Sequence, residues 1–444
     1  MEFYEKMADQ VISNNGIKAE MYRRFNVKRG LRNADGSGVL VGLTTIGEVH
    51  GYIFDESEKH AVDGRLRYRG IEIHDIVKGF QKEGRFGYEE TAFLLLFGSL
   101  PTKEQLGQFA AILEEYRELP DGFTENMILK SPSSDIMNKL ARSVLACYSY
   151  DNNNPDDTGV CNVLRQCVQL IARFPTMAAY GYQAKRHYFD NDSLFIHRPQ
   201  PGLSTAENFL YLIRPDSSYS RLEAETLDLA LVLHAEHGGG NNSAFVLHVV
   251  SSTGTDTYSA IAAAVGSLKG PKHGGANIRV LQMMEDLKKN VKDCSNEKQL
   301  EDYLVKLVRK EAFDRSGLIY GMGHAVYTLS DPRTAILRDK ARELAVKEKD
   351  KGEFELYETV ERLSHQILRD LKSKEIATNV DFYSGLVYSM LNIPPELYTP
   401  IFAVSRIAGW AAHRIEELVS GNKIIRPAYK SVSWKKNYIP LDQR

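Results

Sequence analysis

Five histidines fall within residues 234–324, and three of them stand next to glycine. The three pairs are His237 with Gly238, His273 with Gly274, and Gly323 with His324. Glycine lets the backbone approach a ligand closely, and an imidazole can hold or release a proton near neutral pH. Each histidine taken alone is equally well explained as a core or capping residue. The pairs therefore nominate groups for proton transfer without identifying a reaction.

Other chemistries have weaker motifs. His234 and His237 lie three residues apart on a predicted helix and could face one metal ion, but no cysteine or further histidine follows at a usual ligand spacing. Residues 321–323, Gly-Met-Gly, lack the third glycine of a dinucleotide fingerprint, and the sequence has neither a GxxxxGK loop nor a GxSxG elbow. The sequence thus predicts no metal site, no nucleotide-binding loop and no serine-hydrolase triad.

The composition is that of an ordinary globular protein, with 43% hydrophobic and 26% charged residues and a formal net charge of -2. A charge so close to zero gives no reason to expect nucleic acid or an acidic membrane as the main partner. The four cysteines form no CxxC pair, which favours a reducing compartment. The first residues lack an apolar signal core, and no apolar run is long enough to cross a bilayer. We therefore expect a soluble, cytoplasmic protein.

Hydrophobic periodicity predicts that most of the chain is helical. Helices are predicted, among other places, at residues 88–96, 103–118, 133–149, 221–237, 258–268, 277–290, 296–313, 333–349, 354–374 and 398–420. Residues 39–46 are expected to be irregular or a short strand. A chain of 444 residues exceeds the size at which one core stops growing, so two domains are expected. Charge density rises after residue 275, which suggests a small domain over 275–390 and a large domain made of 1–274 and 391–444.

One arginine stands out by its position on a predicted helix. Arg406 shares a helical face with Phe402, Gly409 and Trp410, so its side chain leaves an apolar stripe. An arginine in such a place is unlike a solvated surface residue. It is a candidate for binding an anion.

Seven short blocks, read together, point to one family. They are, in chain order, Leu233-His234-Ala235-Glu236-His237-Gly238-Gly239-Gly240-Asn241-Asn242-Ser243-Ala244, Gly270-Pro271-Lys272-His273-Gly274-Gly275-Ala276-Asn277, Gly323-His324-Ala325-Val326-Tyr327, Asp331-Pro332-Arg333, Asn379-Val380-Asp381, Ser405-Arg406 and Arg426-Pro427. Their order and spacing resemble the citrate synthase family. Weaker matches at residues 64–71 and 206–210 extend the resemblance to most of the chain.

The resemblance implies an all-α, mainly helical fold with the citrate-synthase-like two-domain architecture, a large helical domain plus a smaller mobile helical domain that closes over oxaloacetate. It also implies an acyltransferase of the tricarboxylic acid cycle. Such an enzyme condenses acetyl-CoA with oxaloacetate and water to give citrate and CoA, through an enol(ate) and a citryl-CoA intermediate.

The same resemblance assigns three catalytic roles. Asp381 removes a proton from the acetyl methyl group, His273 donates a hydrogen bond to the thioester carbonyl, and His324 polarises the ketone of oxaloacetate and protonates the forming alkoxide. A methyl group beside a thioester is a weak carbon acid, so a base and a hydrogen-bond donor must act on it together. Lys272 and a helix start near Ala276 are expected to disfavour the charged form of His273.

The carboxylates of oxaloacetate call for guanidinium partners, because a guanidinium can bind a carboxylate through two parallel hydrogen bonds. By resemblance these partners are Arg333, Arg406 and Arg426, with His237 adding a hydrogen bond. In the family, the arginine that matches Arg426 reaches the neighbouring subunit's site, which implies a homodimer. No cofactor and no metal are expected, since acetyl-CoA enters as a substrate.

Alternatives remain at this stage. A 2-methylcitrate synthase would use propionyl-CoA with the same residues, and one methylene in an apolar pocket discriminates by only about 1–3 kcal/mol. A citryl-CoA-cleaving lyase is a second alternative. A non-catalytic member that binds a CoA ester is a third, against which the intact His273, His324 and Asp381 argue.

Overall fold

The computed structural model of the chain describes residues 2–33, 35–55, 58–346, 348–373, 375–421 and 423–444. Within these ranges the protein has seventeen α-helices and one antiparallel sheet of three strands. The expected all-α class is confirmed. None of the helices in the described ranges combines the length and the mean hydropathy of a membrane-spanning segment.

The residues form two compact units. Unit 1 consists of Met1–Asp75 and Asn277–Met390, and unit 2 of Ile76–Ala276 and Leu391–Arg444. The division suggested by the sequence differs in one respect, since it put residues 1–75 in the large domain. In the structure these residues cluster with 277–390.

Unit 1 carries the sheet and the helices of the charged segment. Its elements are α1 (Glu2–Asn15), α2 (Ala19–Arg24), β1 (Gly47–Asp55), β2 (Glu58–Tyr68), β3 (Ile71–Glu72), the start of α3 (Ile73–Lys82), α12 (Ala276–Asn290), α13 (Glu297–Val308), α14 (Pro332–Leu344), α15 (Glu348–Lys372) and α16 (Asp381–Met390). Strands β1 and β2 form a hairpin with a bulge between His50 and Tyr52. Residues 39–44 have no regular structure, and the hairpin that follows them was not predicted.

The hairpin is in close contact with the loop before α14. The Gly64 N–H donates to Ser330 Oγ at 3.0 Å, and a Cβ atom at Gly64 would overlap the Ser330 carbonyl oxygen. Only glycine allows the strand to pass so near the loop. This contact explains why β2 belongs to the same unit as α14.

Unit 2 is built around its last helix. Its elements are α4 (Tyr88–Phe97), α5 (Lys103–Tyr116), α6 (Ile136–Cys147), α7 (Val160–Asp190), α8 (Thr205–Ile213), α9 (Arg221–His234), α10 (Asn242–Ser251), α11 (Thr257–Lys269) and α17 (Tyr398–Ser420). Helix α17 packs against α4, α7, α9, α10 and α11. Its residues are buried from Tyr398 to Arg414 apart from Phe402, which is half-buried. The apolar stripe around Arg406 therefore lies in the core of the unit.

Helix α9 ends earlier than its pattern predicts. Its start has a capping box, in which Ser220 and Glu223 each accept the other's backbone N–H. The periodicity suggested a helix to residue 237, whereas α9 ends at His234. Beyond it, the Glu236 carboxylate accepts the N–H of Gly238, which has φ of +80°. That local hydrogen bond competes with helical pairing and releases His237 into a loop.

Helix α17 tolerates no side chain at Gly409. A Cβ atom there would overlap the Ala235 carbonyl oxygen and the Glu236 carboxylate. Gly409→Ala is expected to lower the free energy of unfolding by about 1–3 kcal/mol, because it overpacks a buried contact. Gly107→Ala in α5, where a Cβ meets nothing within 4 Å, is the control and should raise it by up to about 1 kcal/mol. Denaturant titration measures both, and equal effects at the two sites would contradict this account.

Candidate active site

His324 lies in a loop of unit 1 that fixes the state of its ring. Its Nδ1 accepts the backbone N–H groups of Val326 at 3.1 Å and Tyr327 at 3.2 Å. Two donors on Nδ1 leave the ring proton on Nε2. Burial and the nearby Arg333 lower the pKa of His324 to about 4. His324 is therefore a neutral imidazole that can donate through Nε2.

The His324 loop is tied to the start of α16 by a short backbone pairing. The Gly323 N–H donates to the Ala377 carbonyl at 2.7 Å, and the Asn379 N–H to the Gly321 carbonyl at 2.9 Å. The Asn379 side chain completes the link, because its Nδ2 donates to the Gly323 carbonyl at 2.8 Å while its Oδ1 accepts the Asp381 N–H at 3.1 Å. The backbone positions of His324 and Asp381 are thus set by one asparagine.

Asp381 is the first residue of α16 and is half-buried. Its neighbours Val380 and Phe382 are 2% and 0% exposed. A carboxylate in the first turn of a helix is favoured by the partial positive charge of the unpaired N–H groups. Its position in the first turn of α16 makes Asp381 a candidate proton acceptor.

Arg333 stands in the first turn of α14 and is only 4% exposed. Its Nε and Nη2 donate to Asp331 at 3.0 and 2.7 Å. Asp331 also accepts the N–H groups of Arg333 and Val380 at 3.0 and 3.3 Å. Although burial raises the pKa of Asp331, the Arg333 guanidinium holds it below its ordinary value. The arginine is therefore a buried cation held in a fixed orientation near His324.

In unit 2, His273 lies in the turn between α11 and α12. Its Nε2 is 3.0 Å from Ser243 Oγ, which accepts the Trp410 Nε1–H at 3.1 Å. The hydroxyl proton of Ser243 has two acceptors in reach, His273 Nε2 and Asn241 Oδ1 at 2.9 Å. When it goes to His273, the ring proton is on Nδ1. Ser243 can therefore select the tautomer of His273.

His273 is neutral for reasons that the sequence did not supply. Burial and then Arg406 lower its pKa to about 4. The sequence analysis attributed the neutral form to Lys272 and a helix start, whereas desolvation is the larger cause. The helix start itself, at Ala276, is where it was predicted.

Arg406 is the most deeply buried of the predicted arginines, at 1% exposure. Its Nε donates to the His234 carbonyl at 2.7 Å, and its guanidinium lies over the Phe402 ring at 4.8 Å. The Phe402 ring is also 6.2 Å from the His273 ring, so one aromatic side chain adjoins both groups. His237 is 8% exposed in the loop after α9, three residues beyond the carbonyl that Arg406 binds.

The predicted site residues thus form one group in each unit. Unit 1 brings together His324, Arg333 and Asp381, and unit 2 brings together His273 and Arg406 with His237 nearby. Arg426 is exposed in the segment of unit 2 that follows α17. In the described part of the chain it has no ion pair and no side-chain hydrogen bond.

Sequence reasoning missed the residues that orient these groups. They are Ser243 on His273, Asn379 between His324 and Asp381, and Asp331 on Arg333. Each stands inside a block that the sequence singled out, but residue type and spacing do not show which group it holds; Ser243 and His273 are 30 residues apart, and Asn379 and Gly323 are 56 residues apart. The His234 ring, which the sequence also offered as a metal ligand with His237, has its Nδ1 at 2.9 Å from the Ala230 carbonyl oxygen, one turn earlier in α9.

The lowered pKa values of His273 and His324 predict how stability depends on pH. Both lie at about 4, below the ordinary value of 6.5, so between these limits the unfolded chain binds protons that the folded chain does not. The free energy of unfolding should therefore fall as pH is lowered from 6.5 to 4, and level off below. Denaturant titrations at a series of pH values measure this, and His324→Gln should reduce the slope by up to about 1.4 kcal/mol per pH unit. Equal slopes for the variant and the parent chain would contradict the assignment.

Comparison with known proteins identifies the family. Residues 36–428 match the family described as citrate synthase, C-terminal domain. Over 87% of the chain, the sequence is 35% identical to a citrate synthase of Synechocystis sp., 90% of which is covered. It is 33% identical to a 2-methylcitrate synthase of Shewanella oneidensis, over 85% of this chain and 92% of that one.

A solved citrate synthase structure has the same fold as this chain. The citrate synthase of Thermoplasma acidophilum, in ternary complex with carboxymethyl coenzyme A and oxaloacetate, superimposes with a TM-score of 0.75 at 25% identity, covering 94% of this chain and 99% of that chain. Since the family match extends over nearly the whole chain, the chain belongs to the citrate synthase family.

Proposed function

We propose that this protein is a citrate synthase, which condenses acetyl-CoA with oxaloacetate and water to give citrate and CoA. The observation that carries the proposal is the state of its two histidines, which burial and a nearby arginine keep neutral, together with a half-buried aspartate in the first turn of α16. Acid–base condensation needs this set, because an imidazolium in either place would not leave a neutral donor whose strength matches an enolate or an alkoxide.

The proposed reaction begins at the methyl group of acetyl-CoA. Asp381 takes a methyl proton while His273 donates a hydrogen bond to the thioester oxygen, so that charge spreads onto the oxygen as the enol(ate) forms. The enol(ate) carbon then attacks the ketone carbon of oxaloacetate. The ketone π-electrons move to oxygen, which takes the Nε2 proton of His324. Water finally attacks the citryl thioester carbonyl and the C–S bond breaks, with one water proton going to the CoA sulfur. The proton released by the new carboxyl group restores Nε2–H on His324, and Asp381 returns its proton to solvent.

Arginines account for recognition of oxaloacetate. Arg333 and Arg406 are buried cations held by a carboxylate and a carbonyl respectively, so little side-chain entropy remains to be lost on binding. Desolvation strengthens their pairing with a carboxylate. His237 adds a hydrogen bond beside Arg406. The Thermoplasma citrate synthase forms a ternary complex with oxaloacetate and a coenzyme A derivative, which supports the same substrates here.

Nothing in the proposed chemistry requires a metal ion or a redox cofactor. Each step moves a proton or forms or breaks a carbon bond without net electron transfer, and protein side chains supply the donor and the acceptor. We also place the reaction in the cytoplasm and in the tricarboxylic acid cycle. The four cysteines are free thiols, which suits a reducing compartment.

The second candidate is 2-methylcitrate synthesis from propionyl-CoA, which the Shewanella relative favours. The acid–base groups would be the same, and only the space around the acyl methyl group would differ. The ratio of kcat/KM for acetyl-CoA and propionyl-CoA separates the two. A ratio well above one supports citrate synthesis, and a ratio below one replaces it by 2-methylcitrate synthesis.

Release of CoA thiol from acetyl-CoA, with and without oxaloacetate, tests the proposal. Release should depend on oxaloacetate, and Asp381→Asn should lower kcat by about 10²–10⁴-fold, because the amide cannot accept the methyl proton. Asp135→Asn is the matched control, since Asp135 also stands at a helix start and its replacement keeps the cap. Release without oxaloacetate would indicate a thioesterase, and no release from either acyl-CoA would indicate a non-catalytic protein.

We further propose a homodimer in which Arg426 acts in the neighbouring subunit. Arg426 is exposed, and the segment after it presents Tyr429, Trp434 and Tyr438 at 96%, 88% and 81% exposure. Large aromatic side chains so exposed favour cover by a partner.

Mixed dimers of two inactive variants test this arrangement. If Arg426 acts in the partner's site, a dimer of Asp381→Asn and Arg426→Ala chains contains one site in which both residues are intact. Co-refolding equal amounts should restore about a quarter of the parent activity, because half of the dimers are mixed and each has one intact site. Sedimentation should show a dimer throughout. Failure to restore activity would place Arg426 in its own subunit's site or outside the site.

A further inference from the structure

A chain of ionisable side chains lies under the loop that carries His237, and the reaction proposed above does not use it. The Glu236 carboxylate is 2.9 Å from His413 Nε2, His413 Nδ1 is 3.1 Å from His248 Nε2, and His248 Nδ1 is 2.7 Å from Glu417. Glu416 lies 3.7 Å from His413 Nδ1. Glu236 and His413 are fully buried, at 0% exposure each.

The distances in this series of side chains determine how many protons the two histidine rings carry. An ionised carboxylate only accepts hydrogen bonds, so Glu236 requires a proton on His413 Nε2 and Glu417 requires one on His248 Nδ1. If both rings were neutral, the two nitrogens that face each other at 3.1 Å would each present a lone pair. A hydrogen bond between them needs one more proton. One of the two rings is therefore an imidazolium.

The surrounding charges decide which ring is charged. Burial disfavours the charged form, yet Glu236 and then Glu416 raise the pKa of His413 to about 9. The pKa of His248 is lowered by burial and by His413. Burial raises the pKa of Glu236, but His413 and Arg406 lower it by more, so that it lies below its ordinary value.

The remaining charged groups do not balance. Glu236, Glu416 and Glu417 supply three negative charges, and Arg406 and Arg414 interact electrostatically with Glu236 and Glu417 respectively. Asp256 also interacts with Arg414, so the carboxylates outnumber the two arginines. A proton on His413 offsets part of this excess negative charge, which lowers the cost of burying the cluster.

The series of ionisable side chains ends, at Glu236, in the loop that carries His237. Glu236 accepts the Gly238 N–H at 2.5 Å, directly beyond His237. A Cβ atom at Gly239 would be 3.5 Å from both His248 Nε2 and His413 Cε1, so the loop lies on the two rings. The charge on His413 can therefore act on this loop through Glu236, which holds the Gly238 N–H.

We propose that His413 is an imidazolium at neutral pH and a positioning residue, whose charge keeps Glu236 ionised and thereby fixes the loop of residues 235–241 for oxaloacetate binding. The second half of this statement rests on the proposed function. Loss of the charge at His413 favours protonation of Glu236, which makes its carboxyl group a weaker acceptor of the Gly238 N–H and loosens the position of His237. Chemistry at Asp381 is not directly affected.

Nitrogen-15 NMR of histidine-labelled protein tests the charge without any assay of activity. An imidazolium resonance should persist from pH 7 to pH 8 and be missing from the spectrum of His413→Gln. Glu236→Gln should move its titration to lower pH, because the counter-charge is gone. A neutral His413 at pH 7 would overturn the proposal, as would one metal ion per chain that elemental analysis finds in the parent protein and not in His413→Gln.

Kinetics test the positioning role. His413→Gln should raise KM for oxaloacetate about tenfold and leave kcat within about twofold, since it disturbs binding and not the proton transfers. The double variant Glu236→Gln with His413→Gln should recover much of the loss, because two neutral amides can hydrogen-bond where a lone buried carboxylate cannot. His187→Gln, at an exposed histidine of α7, is the control and should change neither constant.

These outcomes separate the inference from the proposed function. A parent protein without oxaloacetate-dependent thiol release would refute the proposed function, while the NMR experiment would still decide the charge of His413. An equal fall in kcat and kcat/KM in His413→Gln, with no recovery in the double variant, would assign His413 a general structural role and overturn the positioning claim. If His413→Gln does not fold, Glu236→Gln alone tests the same coupling through KM and the histidine spectrum.

Discussion

The guanidinium of Arg406, buried in the middle of α17, sets the conditions for the rest of unit 2. A cation at 1% exposure is tolerated only where partners are in place before any ligand arrives. Those partners are the His234 carbonyl, the face of Phe402 and the charge of Glu236. The His234 carbonyl is available to Arg406 because α9 ends at His234. Gly409 must remain without a side chain so that α17 can pack on that end.

Unit 1 also contains a buried guanidinium that needs a fixed partner, and there the partner is close in sequence. Arg333 is buried against Asp331, two positions earlier on the chain, and Asp331 in turn holds the Val380 N–H. The carboxylate is thus shared between a helix cap, a cation and the segment that leads into Asp381. Neutral histidines fit both units for one electrostatic reason. Each lies beside a buried arginine, and a second positive charge in a desolvated place would cost more than the protein recovers.

Much of the fold could be predicted, because helical periodicity is a local signal. The extents of α4, α11 and α17 were predicted to within a residue or two. The β1–β2 hairpin was missed, since its alternation of apolar and polar residues is weak and interrupted by a bulge. The end of α9 was missed because it depends on the hydrogen bond between the Glu236 carboxylate and the Gly238 N–H, which periodicity does not report.

In the candidate site, too, some residues could be predicted from local sequence and others could not. Histidines beside glycine, and the aspartate at a helix start, are visible in the sequence because residue type and neighbour carry the information. The sequence did not identify Ser243 and His413 as functional residues, because their hydrogen-bond partners, His273 and Glu236, are 30 and 177 residues away. Only the packing of α10 and α17 brings such partners together. Arg426 was assigned from resemblance alone, and its role stays a prediction.

The backbone pairing between residues 321–323 and 377–379 has a consequence for how the protein acquires its reactive groups during folding. Asn379 and Gly323 are 56 residues apart, and α14 and α15 lie between them. Closing so long a loop costs chain entropy, so we expect the pairing to form after these helices have packed. On that expectation, His324 and Asp381 come together late in folding. A chain released early would have a native-like helix content and no reactive centre, which separates the gain of secondary structure from the gain of chemistry in time.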